Sequence, residues 1–189
     1  DIRMKITSRI ALATLALAAA SALGTAQIER LTLQEIVQKT DNALVGEIVD
    51  QKVFRVDHPV DGPELYFTTL TLAGSSLVDG RNMTVQVTYP GGFINAEEGV
   101  YNSEAPSADD VRLGNTVVAF YRWQDNMGGD VSGNGLYAMH GGLYRTVEGP
   151  QGLVVLGRGE GYALDTNRKL ADLDSAVKSI VQNNKKQSK

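Results

Sequence analysis

Asp130-Val-Ser-Gly-Asn-Gly135 places oxygen-bearing side chains at alternating positions and closes on a glycine, as the opening of a calcium loop does. The twelfth position of such a loop is Gly141, so the bidentate carboxylate is missing. No helical pattern flanks the segment, and a glycine- and asparagine-rich connection between strands accounts for the same residues. No metal centre is therefore assigned to Asp130, Ser132 and Asn134. Glu97, Glu98, Glu104, Asp109 and Asp110 share the stretch between Phe93 and Val111. A pair of carboxylates can act as acid and base on a glycosidic bond, but only when rigid elements fix their separation. An acidic solvated surface is the plainer reading of these five.

His140-Gly-Gly142 has the look of an esterase oxyanion loop. Such enzymes also need a Gly-x-Ser-x-Gly elbow in a parallel α/β sheet, and neither is present. A tight turn explains the residues. His58 and His140 are the two histidines of the chain. A zinc site would use both and still need carboxylates, and His58 beside Pro59 reads as an ordinary loop residue. Gly157-Arg-Gly-Glu-Gly161 lacks dinucleotide-loop spacing and opens no helix. No cofactor is expected. Phe120-Tyr-Arg-Trp123 mixes aromatic and basic residues as a single-strand nucleic-acid platform would. Strand alternation sends Phe120 and Arg122 one way and Tyr121 and Trp123 the other, so half of the set is expected in the core.

Composition narrows the classes further. The chain has 189 residues with 22 acidic and 18 basic side chains, a net charge of −4. Met4-Lys-Ile-Thr-Ser-Arg9, an Ala/Leu run over Ile10–Leu23 and Gly24-Thr25-Ala26 read as a secretory signal peptide over residues 1–26, with Met4 as the natural start. The run is too short and too alanine-rich to favour a lasting membrane span, so no transmembrane anchor is expected after cleavage. No cysteine follows it, which excludes a lipoprotein. Removing these 26 residues leaves 163 of the 189 and takes away Arg3, Lys5 and Arg9 against Asp1, so the net charge becomes −6. Such acidity disfavours binding to nucleic acid. With no cysteine at all, the fold has neither disulfides nor thiol chemistry and must hold by packing and hydrogen bonds.

The elements that position these residues follow from period and punctuation. Thr32 and Glu35 form a capping box and Leu31 can staple onto Ile36, which predicts a short helix ending at Asp41-Asn42. Strands are expected over 43–56, with Gly46 a bulge or bend, and over 65–72, 83–89 and 116–123. Further short strands at 136–139 and 143–147 would flank His140–Gly142 as a hairpin, followed by 153–156 and 162–164. Leu170, Leu173, Val177, Ile180 and Val181 share one helical face, so an amphipathic helix is predicted over 166–182, capped by Thr166 or Asn167. Residues 183–189, with Lys185, Lys186 and Lys189, form a solvated tail. The whole is one mainly β domain over 27–165, an antiparallel barrel or sandwich, with a helix at each end.

Val85, Val87 and Tyr89 share one face of their strand, and Pro90-Gly-Gly92 ends it abruptly. The long connection that follows is either functional or disordered.

In motif order the chain resembles a group of uncharacterised exported bacterial domains. The resemblance runs over about residues 31–148: a short helix ending at Thr40-Asp41, the Leu44-Val-Gly-Glu-Ile-Val49 strand, Leu65-Tyr-Phe-Thr-Thr-Leu-Thr-Leu72, a strand ending in Pro90-Gly-Gly92, and Val117-Val-Ala-Phe120. The resemblance implies a small β-barrel similar to the OB-fold, which raises oligonucleotide or oligosaccharide binding, and brings no catalytic residues with it. The expectation is an exported, non-catalytic binding or structural protein of the periplasm or extracellular space. Loops 90–111 and 124–135 would face an envelope or extracellular protein or a glycan. The competing expectation is an envelope hydrolase that uses the loop carboxylates, supported by calcium.

Overall fold

The computed structural model describes residues 30–187. The signal-peptide reading of residues 1–26 lies outside them.

Helix α1 (Leu33–Lys39) begins as its capping box requires. The Glu35 amide donates to Thr32 Oγ1 at 3.2 Å, and the Thr32 amide donates to Glu35 Oε2 at 2.7 Å. That backbone bond is the main reason the Glu35 carboxyl lies below its ordinary range. Leu31 and Ile36 are buried in one cluster, which is the expected staple. Thr32→Ala removes the cap and is expected to lower stability by about 1 kcal/mol. In a thermal melt at pH 7 the loss appears as a fall of about 2–4 °C, which Thr32→Ser restores.

The strands are β1 (Asn42–His58), β2 (Gly62–Ser76), β3 (Asn82–Pro90), β4 (Gly92–Phe93), β5 (Gly99–Val100), β6 (Thr116–Gln124), β7 (Gly133–Leu136), β8 (Leu143–Gly149), β9 (Gly152–Val155) and β10 (Arg168–Lys169). Helix α2 (Leu170–Gln187) closes the chain. Strand β1 pairs with β2, β2 with β3, β3 with β7, β7 with β6, and β6 returns to β1. The result is a closed barrel of five strands. Four seams are antiparallel; the fifth is a parallel contact at Thr88↔Gly135.

Two apolar layers use the two faces of this wall. Leu44, Ile48, Leu70, Val87, Val117 and Leu143 fill the barrel. Ile36, Val118, Phe120, Tyr144, Leu173 and Val177 fill the space between the wall and the two helices. Strand β6 serves both, so its residues from Val117 to Tyr121 are all buried. This corrects the expectation for the 120–123 patch: Phe120 and Tyr121 are both core, while Trp123 is 56% exposed. Tyr121 faces the barrel interior and Phe120 the helices.

Other differences share one cause, contacts between distant segments. His140–Gly142 is not the turn of a hairpin. Strands β7 and β8 both pair with β6, at Leu136↔Tyr121 and Leu143↔Ala119. Between them a 3-10 turn at Met139–Gly142 lets the chain bulge outward and rejoin the same edge. The register of β1 shifts between Ile48 and Asp50, not at Gly46. Gly46 instead lies opposite Gly74, where the two backbones approach closely. Residues 162–164 form no strand, although Leu164 is buried.

Helix α2 starts at Leu170 because Arg168 and Lys169 pair with β9 and the Asn167 Oδ1 accepts from the Gly157 amide. It continues through Asn183-Asn184, where Gln38 Nε2 of α1 donates to Asn184 Oδ1 at 3.0 Å. A tertiary bond thus overrides the weak helix propensity of asparagine.

Candidate functional site

The β1–β2 hairpin outruns the barrel. Pairing of β1 with β6 stops at Glu47↔Thr116, whereas pairing with β2 continues to His58↔Gly62. Alternation gives this extension two faces. Gln51, Val53 and Arg55, with Thr68 opposite Val53, continue the barrel interior. Phe54, Val56 and His58, with Phe67 opposite Phe54, face the other way.

The segment after β3 crosses the first face. Pro90 ends the ladder, and Gly91 and Gly92 take φ of 99° and 130°, a region that favours glycine. The Gly91 amide donates to the Tyr66 carbonyl at 2.7 Å, and Thr68 Oγ1 donates to the Gly91 carbonyl at 2.6 Å. A Cβ on Gly92 would strike Thr68 Oγ1 and crowd Val53. Glycine therefore lets the chain lie flat on the hairpin.

Beyond it, β4 and β5 form a small hairpin. Asn102 then pins the return: its Nδ2 donates to the Pro90 carbonyl at 2.9 Å and its Oδ1 accepts from the Glu104 amide at 3.0 Å. His140 holds the next turn. Its amide and its Nδ1 both meet the Glu104 carbonyl, at 3.0 and 2.8 Å. A carbonyl only accepts, so Nδ1 carries the proton and Nε2 accepts from the Tyr162 hydroxyl at 2.9 Å. Ala105 and Val111 pack into the barrel core. The connection expected to be either functional or disordered is thus tied down along its length.

Asp110 makes the strongest tie. Its carboxylate, 12% exposed, meets Arg158 Nη2 at 2.9 Å and Arg145 Nε at 3.2 Å. Burial raises its proton affinity, but hydrogen bonds from Arg158 and Ser107 outweigh that and hold the carboxyl below its ordinary range. The other loop acids are scattered. Glu98 lies 3.8 Å from Arg55, Asp109 lies 2.5 Å from Arg112, and Glu97 is exposed on the turn between β4 and β5.

Between the loop and the hairpin lies a groove of about 510 Å3 at the barrel mouth. Tyr89 and Thr68 form its floor, Gln51 and Val53 one wall, and Phe93 and Tyr101 its exposed rim. Burial pushes the Tyr89 hydroxyl up to about 12, so it stays a neutral donor and acceptor. Not one lining residue carries a charge, and none of the five loop acids is among them. Sequence reasoning located the loop but missed Gln51, Val53, Thr68 and Tyr89. A threonine at an inward position, two residues before Leu70 and four before Leu72, was the available signal.

The second loop covers the other face of the hairpin. Phe54 and Phe67 stack at 5.6 Å, and the Gly129 amide donates to Asp61 Oδ2 at 2.7 Å. His58 Nδ1 accepts from the Asp61 amide at 3.0 Å, so its Nε2–H is the group that donates to Asp130 Oδ2 at 3.1 Å. Asn134 Nδ2 donates to the Gln86 carbonyl at 3.2 Å. Asp130 and Asn134 of the calcium-like set therefore turn to separate partners. No group of three or more His, Asp or Glu side chains among the described residues could hold a metal ion. The loops 90–111 and 124–135 lie on opposite faces of one hairpin and do not share a surface.

Among the described residues no helix is long and apolar enough to cross a membrane. Comparison with protein-family models, with curated proteins and with solved structures finds no match to this chain.

Proposed function

We propose that this chain is an exported, non-catalytic binding protein of OB-like build, acting in the periplasm or outside the cell, that takes its ligand in the groove between residues 92–111 and the β1–β2 hairpin. The observation that carries this reading is a preformed, uncharged cleft at a barrel mouth, with a cover pinned at Gly91, Asn102, Glu104 and Asp110. Barrel mouths are favoured ligand sites because the scaffold holds the walls rigid while the loops vary. A Greek-key order, β1-β2-β3-β7-β6, supports the OB-like part of the reading. The acidic charge supports a partner other than nucleic acid, an envelope or extracellular protein or a glycan. Loop 124–135 buttresses the hairpin from behind. The hydrolase alternative gains no support from the carboxylates, since Glu98, Asp109 and Asp110 each face an arginine outside the groove.

The test is an amide-resolved NMR titration of the mature protein with fractionated envelope extract. Shifts confined to residues 51–53, 68, 89 and 92–111 are expected; shifts elsewhere, or turnover of any component, overturn the reading. Export is checked by cell fractionation with intact-mass analysis. A chain beginning at Gln27 in the periplasm or medium is expected, and an untrimmed cytoplasmic chain contradicts it.

A further inference from the structure

Building on the proposed binding role, we infer that the groove accepts a neutral carbohydrate chain, with sugar rings stacked on Tyr101 and Phe93. In a chain that is 21% charged, a lining without one charged side chain disfavours phosphate, carboxylate and cation ligands alike. Near the rim, Arg55 already meets Asp57, Glu64 and Glu98 at 3.0, 3.4 and 3.8 Å, so it offers no open cation to an anionic ligand.

The lining is also unsuited to a purely apolar ligand. Among the described residues the Gln51 amide, the Ser103 hydroxyl and the Tyr101 hydroxyl have no hydrogen-bond partner in the protein. An apolar ligand would take them out of water with nothing in return. An extended peptide would need a row of open backbone donors and acceptors. The hairpin instead turns its face, not its edge, to the groove, and a sheet's backbone groups point along its plane.

A sugar ring matches what remains. It has two faces of C–H groups and a rim of hydroxyls, and so needs both aromatic surface and neutral polar groups. Tyr101 is 79% exposed and Phe93 is 52% exposed, and neither ring has an aromatic partner among the described residues. Aromatic side chains offer wide contact at low entropic cost. Gln51, Ser103 and the Tyr101 hydroxyl would meet the sugar hydroxyls. The volume of about 510 Å3 falls within the ~300–1,000 Å3 of small-ligand clefts.

The experiment titrates the mature protein, by NMR and calorimetry, with cellotetraose, maltotetraose and chitotetraose. Tetragalacturonate serves as an anionic counterpart and an uncharged apolar octapeptide as a separate arm. At least one neutral tetrasaccharide is expected to shift residues 92–111 and Gln51. Tyr101→Ala should weaken it about tenfold, Tyr101→Phe much less, and neither should move the melting temperature.

Equal or tighter binding of tetragalacturonate overturns the inference. So does binding unaffected by Tyr101→Ala. If only the octapeptide shifts the groove, the carbohydrate inference fails and the binding role stands. If every probe leaves residues 92–111 unshifted, the carbohydrate inference fails, and the binding role is decided by the envelope-extract titration.

Discussion

Asp110→Asn is expected to lower stability by about 3 kcal/mol, because breaking a buried ion pair from one side strands the other partner. The variant keeps the shape of the side chain and removes its charge. Arg158 then keeps the Leu143 carbonyl, which its Nε and Nη2 meet at 3.0 and 2.8 Å, and the Tyr144 ring 5.8 Å away, but has no charged partner. Arg145, 43% exposed, turns to water at little cost, which keeps the loss near the lower end of the range.

For a domain of this size the fall in melting temperature is about 6–12 °C. The pH dependence separates charge from packing. The folded carboxyl lies below the unfolded value, about 3.9, so its contribution is complete above that pH and fades as pH falls through the folded value. The gap between native protein and variant should stay constant from about pH 7 to 5 and close in strongly acid solution. Melts recorded across this range decide the matter. A gap that does not narrow as the pH falls below the unfolded value would show that the charge of Asp110 is not what stabilises the loop.

Gly74→Ala should be more damaging still. A Cβ there would fall on the Val45 carbonyl oxygen and the Gly46 Cα, both backbone atoms that no rotamer change can move. Strands β1 and β2 would have to separate at Gly46↔Gly74, in the stretch where β1 also pairs with β6 and the barrel closes. A loss above about 4 kcal/mol is expected, with most of the variant recovered as aggregate. Gly80→Ala provides the comparison. Gly80 has φ of 75° but open space around it, so alanine there meets only backbone strain and should cost about 1 kcal/mol. Urea denaturation of both variants tests the ranking. If Gly74→Ala unfolds within a few tenths molar of the native protein, the close approach of Gly46 and Gly74 is not a determinant of the fold.

Much of the architecture was legible because it rests on local rules. The capping box at Thr32 and Glu35, the alternation of Val85, Val87 and Tyr89, and the arrest at Pro90-Gly-Gly92 each involve residues within a few positions of one another. The helical face from Leu170 to Val181 was equally plain, although its limits were not. The candidate site was legible only as a loop. Its walls come from β1, β2 and β3, and no sequence period marks a side chain as lining a groove. The acids were misleading for the same reason: five carboxylates close in sequence suggest a cluster, but Glu98, Asp109 and Asp110 are drawn apart by cations at Arg55, Arg112, Arg145 and Arg158.

By itself the sequence determined that the chain would be strand-dominated with a helix at each end, where one strand would stop, and that the chemistry would involve neither thiols nor a dense cationic surface. Only the tertiary structure decided that β3 meets β7 in parallel, that β7 and β8 share one edge of β6, and that the two long loops take opposite faces of the β1–β2 hairpin. The physical reason is distance along the chain. Asp110 meets Arg158, 48 residues further on, only when the barrel is closed, and closure is a balance of packing over the whole wall that no short stretch of residues records.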